Sequence, residues 1–160
     1  MTSAPRQMHV TSKQSGSTMA CAISVLLVDD HALLRKSLHR MLDDDPELAV
    51  IGEASNGAEA VELARELAPQ VVVMDLAMPL MDGIQAARHI LRLAPATAIL
   101  MLSMDADETC VRDAFEAGAQ GYLLKNAVDL DLGGAVKAVA TGKRVLDLGP
   151  MKRIPSLAGG

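Results

Sequence analysis

The chain has no tryptophan, and Tyr122 and Phe115 are its only tyrosine and phenylalanine among 160 residues. Half of those residues are nonetheless hydrophobic. The interior must therefore be built from Ala, Val, Leu, Ile and Met, and any aromatic role falls on two positions. Cysteine is scarce: Cys21 and Cys110 stand at no disulfide-framework or zinc spacing, which points to a reducing cytoplasm. Basic charge is in deficit, with 15 Lys and Arg against 20 Asp and Glu and a net charge of −5. A nucleic-acid surface needs the opposite balance, so direct nucleic-acid binding by this chain is not expected. No apolar run approaches the roughly 20 residues of a membrane span, so no membrane role is expected. Residues 1–22 are rich in Ser, Thr, Gln and small residues without the apolar core of a signal peptide, and read as a disordered leader.

The sequence is organised around Val71–Gly83, VVVMDLAMPLMDG. Four consecutive apolar residues, Val71 to Met74, read as a short strand buried on both faces. Asp75 follows where that strand should leave the core, and Pro79 and Asp82–Gly83 turn the backbone before the next helix. A carboxylate at the end of a buried strand is costly unless it is paired.

Taken in order, Ser24–Val28 reads as a strand ending in Asp29–Asp30. Leu34, Leu38, Met41 and Leu42 then repeat at helical spacing and predict an amphipathic helix over 31–44. Leu48–Ile51 is the next strand, and Asn56–Gly57 opens a helix over 58–67 with Val61, Ala64 and Leu67 inward, stopped by Pro69. After the central strand, Ile84, Ala87, Leu91 and Ala94 mark a third helix. Ala98–Leu102 is a strand ending in Ser103, and a helix over 106–117 carries Val111, Ala114 and Phe115 on one face, with Gly118 as its left-handed C-cap. Gly121–Leu124 is a fifth strand ending in Lys125. The last helix, 128–141, turns Leu132, Val136 and Val139 inward, although Gly133–Gly134 inside it should cost about 1 kcal/mol per glycine. Residues 142–160 contain Gly, Pro and Lys and are left unstructured. One domain is expected over 23–142, with 143–160 a flexible tail or the start of a linker. Five strands alternating with five helices predict an α/β fold, a five-stranded parallel sheet doubly wound in the flavodoxin-like manner.

In such sheets the ligand site lies outside the carboxyl ends of the strands, near the topological switch point. The groups there are Asp29 and Asp30, Asp75, Ser103 and Lys125. Taken singly, each reads as a solvated loop residue; together they form a constellation. Three crowded carboxylates repel one another unless a cation lies between them, and an oxygen-only set suits Mg²⁺ better than zinc. A carboxylate sharing Mg²⁺, faced by a lysine and a hydroxyl, can attack phosphorus and form an acyl phosphate. His31 follows the acidic pair, but with no second His or Cys at ligand spacing it reads as a helix-start or surface residue. His9, His39 and His89 are bland by the same test, and Met78, Met81, Met101 and Met104 read as gap fillers or loop residues.

These residues carry a family resemblance. VLLVDDH, VVVMDLAMPLMDG, ILMLS and GYLLK resemble, in order and interval, the receiver domain of bacterial two-component response regulators, the CheY-like family, over roughly residues 23–142. DDHALLRKSL, GEASNGAEAVELA and GAQGYLLKNA are most similar to receivers that precede a LuxR-type helix-turn-helix. The resemblance implies that Asp75 is the phosphoacceptor, served by a sensor histidine kinase or phosphotransfer protein. It implies Mg²⁺ contacts from Asp30, Asp75 and the Ala77 backbone carbonyl, with Asp29 acting mainly through water. Ser103 takes the hydroxyl role and Lys125 that of the family's lysine. Tyr122 takes the aromatic switch position, expected to turn inward when Ser103 moves toward the phosphoryl group. The face formed by helix four, strand five and helix five would then change its affinity for partners. The resemblance allows for a homodimer on phosphorylation, but the apolar faces name no interface.

The sequence departs from its relatives after helix five: 142–160 are too few for a multi-helix DNA-binding domain, so the chain reads as a free-standing receiver or as the N-terminal part of a longer regulator. Many receivers carry proline after the lysine; here Asn126 follows Lys125, and a trans bond is expected. Ala77 and Asp105 flank the expected phosphoryl site at positions the family varies to set phosphate lifetime.

Two rival classes remain. A haloacid-dehalogenase-type phosphatase needs a second acid two residues after its nucleophile, and that position is Ala77; the chain is therefore not expected to be an enzyme beyond self-catalysed phosphorylation and dephosphorylation. A phosphorylation-independent interaction module would not need the full set of Asp29, Asp30, Asp75, Ser103 and Lys125.

Overall fold

The computed structural model of the protein describes residues 22–125 and 131–148. The elements are β1 (Ile23–Val28), α1 (Ala32–Asp43), β2 (Leu48–Ala54), α2 (Gly57–Leu67), β3 (Val71–Asp75), α3 (Gly83–Leu93), β4 (Ala98–Ser103), α4 (Glu108–Glu116), β5 (Gly121–Leu124), α5 (Leu132–Ala140) and β6 (Val145–Asp147). All strand pairs are parallel, in the order β2-β1-β3-β4-β5-β6.

The two-residue period of the strands divides the core into two. Leu26, Val28, Val72, Met74, Ile99, Met101 and Tyr122 face α2, α3 and α4. Val25, Leu27, Val71, Val73, Leu100, Leu102 and Leu123 face α1 and α5. Every residue of β3 and β4 is buried, as expected for strands covered on both faces. A fully buried Leu, Val or Ile stabilises by about 1.5–3 kcal/mol, so this sheet forms a substantial, mainly aliphatic core in which Tyr122 is the fully buried aromatic among the described residues.

The sheet has six strands, not the expected five. Val145–Asp147 lies in the stretch read from sequence as an unstructured tail, and it pairs with β5 from Gly121↔Val145 to Leu123↔Asp147. Gly142, at φ 94°, turns the chain back after α5, and Leu148 is buried in the same core as Tyr122. The apolar pair Val145–Leu146 was too short a run to register as a strand.

Helix ends follow local chemistry. Asn56 accepts from Glu59 N–H at 2.8 Å, and Asp82 with Gln85 forms a reciprocal capping box that starts α3. Gly134 lies in the first turn of α5, where its N–H bonds Asp131 Oδ1 at 2.8 Å; a Cβ there would collide with the capping carboxylate, so the glycine makes room for its own cap. The helix described begins at Leu132; residues 126–130, including Asn126 and its expected trans bond, lie outside the described residues.

Two inward expectations are corrected. Met41 and Leu67 are exposed, at 39 and 37%. In α1 the buried stripe is Leu38 and Leu42, a four-residue step that leaves Met41 on its flank. A bulge between Val25 and Leu26 pairs Val25 with Val50 but Leu26 with Gly52, which sets Ile51 outside the ladder and exposes it.

Candidate functional site

Register places the site. β1, β3, β4 and β5 run parallel with Val28↔Met74, Asp75↔Leu102 and Ser103↔Leu124 as their last partners. The residues at or just after those ends, Asp29, Asp75, Ser103 and Lys125, therefore share one edge of the sheet. The chain leaves β1 for β2 on one side and returns as β3 on the other, so Asp29, Asp30 and Asp75 stand at the switch point. Gly83 fixes the approach from behind: a Cβ there would lie 2.6 Å from the Asp75 carbonyl oxygen and 2.9 Å from Leu76 Cα.

Asp29 and Asp75 are buried, while Asp30 is exposed. Lys125 reaches across with Nζ 3.0 Å from Asp29 Oδ2 and 3.1 Å from Asp75 Oδ2, its own side chain 6% exposed. Asp75 Oδ1 accepts from the Ala77 N–H at 3.2 Å. Burial pushes the Asp75 carboxyl above its ordinary value, and Lys125 pulls against that shift. For Lys125, burial is the largest single influence and acts downward, but the close carboxylates of Asp29 and Asp75 together hold the ammonium above its ordinary range.

Three carboxylates face one lysine, leaving a surplus of two negative charges. Asp29 Oδ2 is buried without a hydrogen bond, and the lysine 3.0 Å away neutralises it by charge. An acidic surplus, an unsatisfied buried oxygen and oxygen donors fit a hard divalent cation such as Mg²⁺. Beside Asp30 an open cleft of ≈ 670 Å³, bordered by Ala77, Met78, Ile84 and Asp113, leads to the site.

Ser103, 4% exposed, lies at the same edge but is engaged with its own loop: its Oγ accepts from Asp105 N–H at 3.0 Å and donates to the Asp105 carbonyl at 3.3 Å. Tyr122 is fully buried, and its hydroxyl donates to that same carbonyl at 2.7 Å. The ring thus lies inward with Ser103 still bonded to the loop. Burial raises the phenol to about 12. The Asp105 carboxylate accepts from the Asp107 N–H at 3.0 Å.

Two neighbours were not legible as site residues. His31 directs Nδ1 to 3.3 Å from both Asp29 Oδ1 and Asp30 Oδ1. Arg35 donates from Nη1 to the Asp29 carbonyl and from Nε to Glu53 Oε1 at 2.8 Å, and Glu53 also takes His39 Nδ1. Arg35 was signalled only by its place one turn into α1.

Residues 25–137 match the family model described as the response regulator receiver domain. The chain is 42% identical to the transcriptional regulatory protein LiaR of Bacillus subtilis over 125 residues, 78% of this chain and 59% of that protein. It is 40% identical to the response regulator UvrY of Escherichia coli over 124 residues, 78% of this chain and 57% of that one. The chain thus spans less than two thirds of the length of these relatives. Among solved structures it resembles the signal receiver domain of the response regulator NarL from Mycobacterium tuberculosis, with 35% identity, a TM-score of 0.72, and coverage of 76% of this chain and 98% of that one. It also resembles a LuxR-family two-component response regulator from Aurantimonas, with 36% identity, a TM-score of 0.76, and coverage of 87 and 94%.

Proposed function

The chain belongs to the response regulator receiver domain family, and from that premise we propose that Asp75 is its phosphoacceptor. The donor is a phosphohistidine on a sensor histidine kinase or phosphotransfer protein. The Asp75 carboxylate oxygen forms a bond to phosphorus while the bond from phosphorus to the donor imidazole nitrogen breaks, and the imidazole, already protonated on its other ring nitrogen, departs neutral. The observation that carries this reading is the buried triangle of Lys125 with Asp29 and Asp75: a partly desolvated carboxylate lies beside a cation that can neutralise an incoming phosphoryl oxygen.

Asp29, Asp30, Asp75 and the Ala77 carbonyl would hold Mg²⁺, which supplies charge neutralisation for the transferring group. Ser103 would exchange its bond to the Asp105 loop for one to the phosphoryl group. That exchange releases a carbonyl shared with Tyr122, so it transmits the event to β5 and to the face formed with α4 and α5. Ala77 offers no general acid two residues after Asp75, which favours a phosphorylated switch with self-catalysed loss of phosphate over a turning-over phosphatase.

The similarity to LiaR and to LuxR-family regulators supports a receiver that controls a transcriptional output, with DNA contact made outside residues 23–142 and a homodimer formed on phosphorylation. The receiver family supports work in the cytoplasm; no helix among the described residues is long and apolar enough to cross a membrane.

The test is incubation with Mg²⁺ and radiolabelled phosphoimidazole, a small phosphohistidine mimic. The expected label is resistant to brief acid, released by hydroxylamine as an acyl phosphate is, and absent in the presence of chelator. A hydroxylamine-resistant or chelator-indifferent label contradicts the proposal.

A further inference from the structure

Four of the five helices among the described residues open with an Asn or Asp side chain bonded to the first turn, at Asn56, Asp82, Asp107 and Asp131. The exception is α1. Its N-cap is His31, which makes no side-chain cap bond. Forgoing a good cap costs about 1 kcal/mol. The ring does something else. Its backbone N–H bonds Asp29 Oδ1 at 2.8 Å, which folds the residue back over the acid pair, and Nδ1 then lies 3.3 Å from one oxygen of Asp29 and 3.3 Å from one of Asp30.

Those distances have a chemical meaning. Two adjacent ligands on a six-coordinate ion with bonds of about 2.1 Å are about 3 Å apart. His31 Nδ1 now hydrogen-bonds Asp29 Oδ1, a bond that ligation would replace; it is close to ligand spacing from both carboxylates and belongs to a group with Asp29, Asp30 and Asp75 whose ligand atoms all lie within 4.8 Å of one another. Lys125 approaches the Oδ2 atoms of Asp29 and Asp75, whereas His31 approaches Oδ1 of Asp29. The two groups therefore address different oxygens and do not compete for one position. The histidine side chain is 68% exposed, so no packing opposes the small shift that ligation requires.

We propose that His31 is a nitrogen ligand of the acidic pocket, so that this receiver accepts an imidazole-preferring transition ion of the Ni²⁺ class in addition to Mg²⁺. The inference rests on the pocket being the divalent-cation site proposed above. Mg²⁺ gains nothing from an imidazole, because it prefers oxygen and retains its waters. Ions later in the first transition row gain substantially. His31 thus sets the pocket's selectivity between the two classes and not its affinity for Mg²⁺.

The experiment is calorimetric titration of the full chain at pH 8 with Ni²⁺ and, separately, with Mg²⁺, for the wild type, His31→Gln and Asp30→Asn, each checked for an unchanged far-ultraviolet spectrum. His31→Gln is expected to weaken Ni²⁺ at the pocket at least about tenfold while changing Mg²⁺ less than about twofold. Equal changes for the two ions, or no change for either, overturn the ligand assignment. Asp30→Asn separates the levels: weakening of both ions keeps the pocket reading whatever His31 does, and indifference of both ions removes the pocket and the inference with it.

Discussion

Lys125 is the only cation within ion-pair distance of Asp75 among the described residues, and replacing it with methionine isolates its charge from its stem. At an effective dielectric near 20, contacts of 3.0 and 3.1 Å each represent an attraction of about 5 kcal/mol. Desolvating the three charges costs several kcal/mol per ion, so most of that attraction cancels in the intact protein. Removing the cation alone leaves the cost without the gain, and Lys125→Met is expected to destabilise by about 3–5 kcal/mol at pH 8. The sign with pH follows from Asp75. Burial already holds its carboxyl above the ordinary value, and losing Lys125 raises it further. A carboxyl raised on folding favours the protonated native state, so this contribution is full at low pH and is lost as pH rises through the folded value. Lys125→Met should therefore lie closer to wild type at pH 5 than at pH 8, and Mg²⁺ should stabilise the variant more than the wild type. Urea unfolding at both pH values, with and without Mg²⁺, reads all three effects. A deficit under about 1 kcal/mol at pH 8, or one larger at pH 5, would refute the account of this pocket.

Tyr122 is the only tyrosine, so its phenolate absorbance is unambiguous. Ionisation is expected near about 12, and stability should fall as pH rises from the ordinary value near 10 toward it; a midpoint near 10 in folded protein contradicts the buried, hydrogen-bonded ring. Leu148→Ala should cost about 2 kcal/mol or more in urea unfolding, because β6 and the residue after it belong to the core; an unchanged midpoint would detach that strand from the cooperative unit. Gly83→Ala drives a Cβ against the Asp75 carbonyl and Leu76 Cα, backbone atoms with no rotamer to escape into, and should cost about 1–3 kcal/mol; a loss below about 0.5 kcal/mol would show that the helix start tolerates the contact.

How much of this was legible in the sequence depends on range. β3 could be read because a strand buried on both faces must be continuously apolar, and Val71–Met74 are. The strand-end residues could be read because parallel strands deliver their carboxyl ends to one edge, which made Asp29, Asp75, Ser103 and Lys125 neighbours before any contact was known. β6 escaped because an edge strand of three residues has no periodicity to detect. The exposure of Ile51 follows from a bulge against β1 that only the partner strand defines. His31 stands exposed at a helix start, as its sequence context implied, whereas the turn that brings its Nδ1 to both adjacent acids is visible only in the structure. The Tyr122 hydroxyl reaches across 17 residues to the Asp105 carbonyl that Ser103 also bonds, a connection that strand ends alone do not reveal. The closeness of Gly134 to the Asp131 carboxylate that caps its helix, where an added Cβ would force that side chain to shift, was equally hidden.

The central claim is that Asp75 carries the phosphoryl group, and intact mass after incubation with Mg²⁺ and acetyl phosphate tests it most directly. The wild type should gain one phosphoryl mass that a chelator prevents, and Asp75→Asn should gain none. No gain in folded wild type, or an equal gain in both proteins, would contradict the assignment.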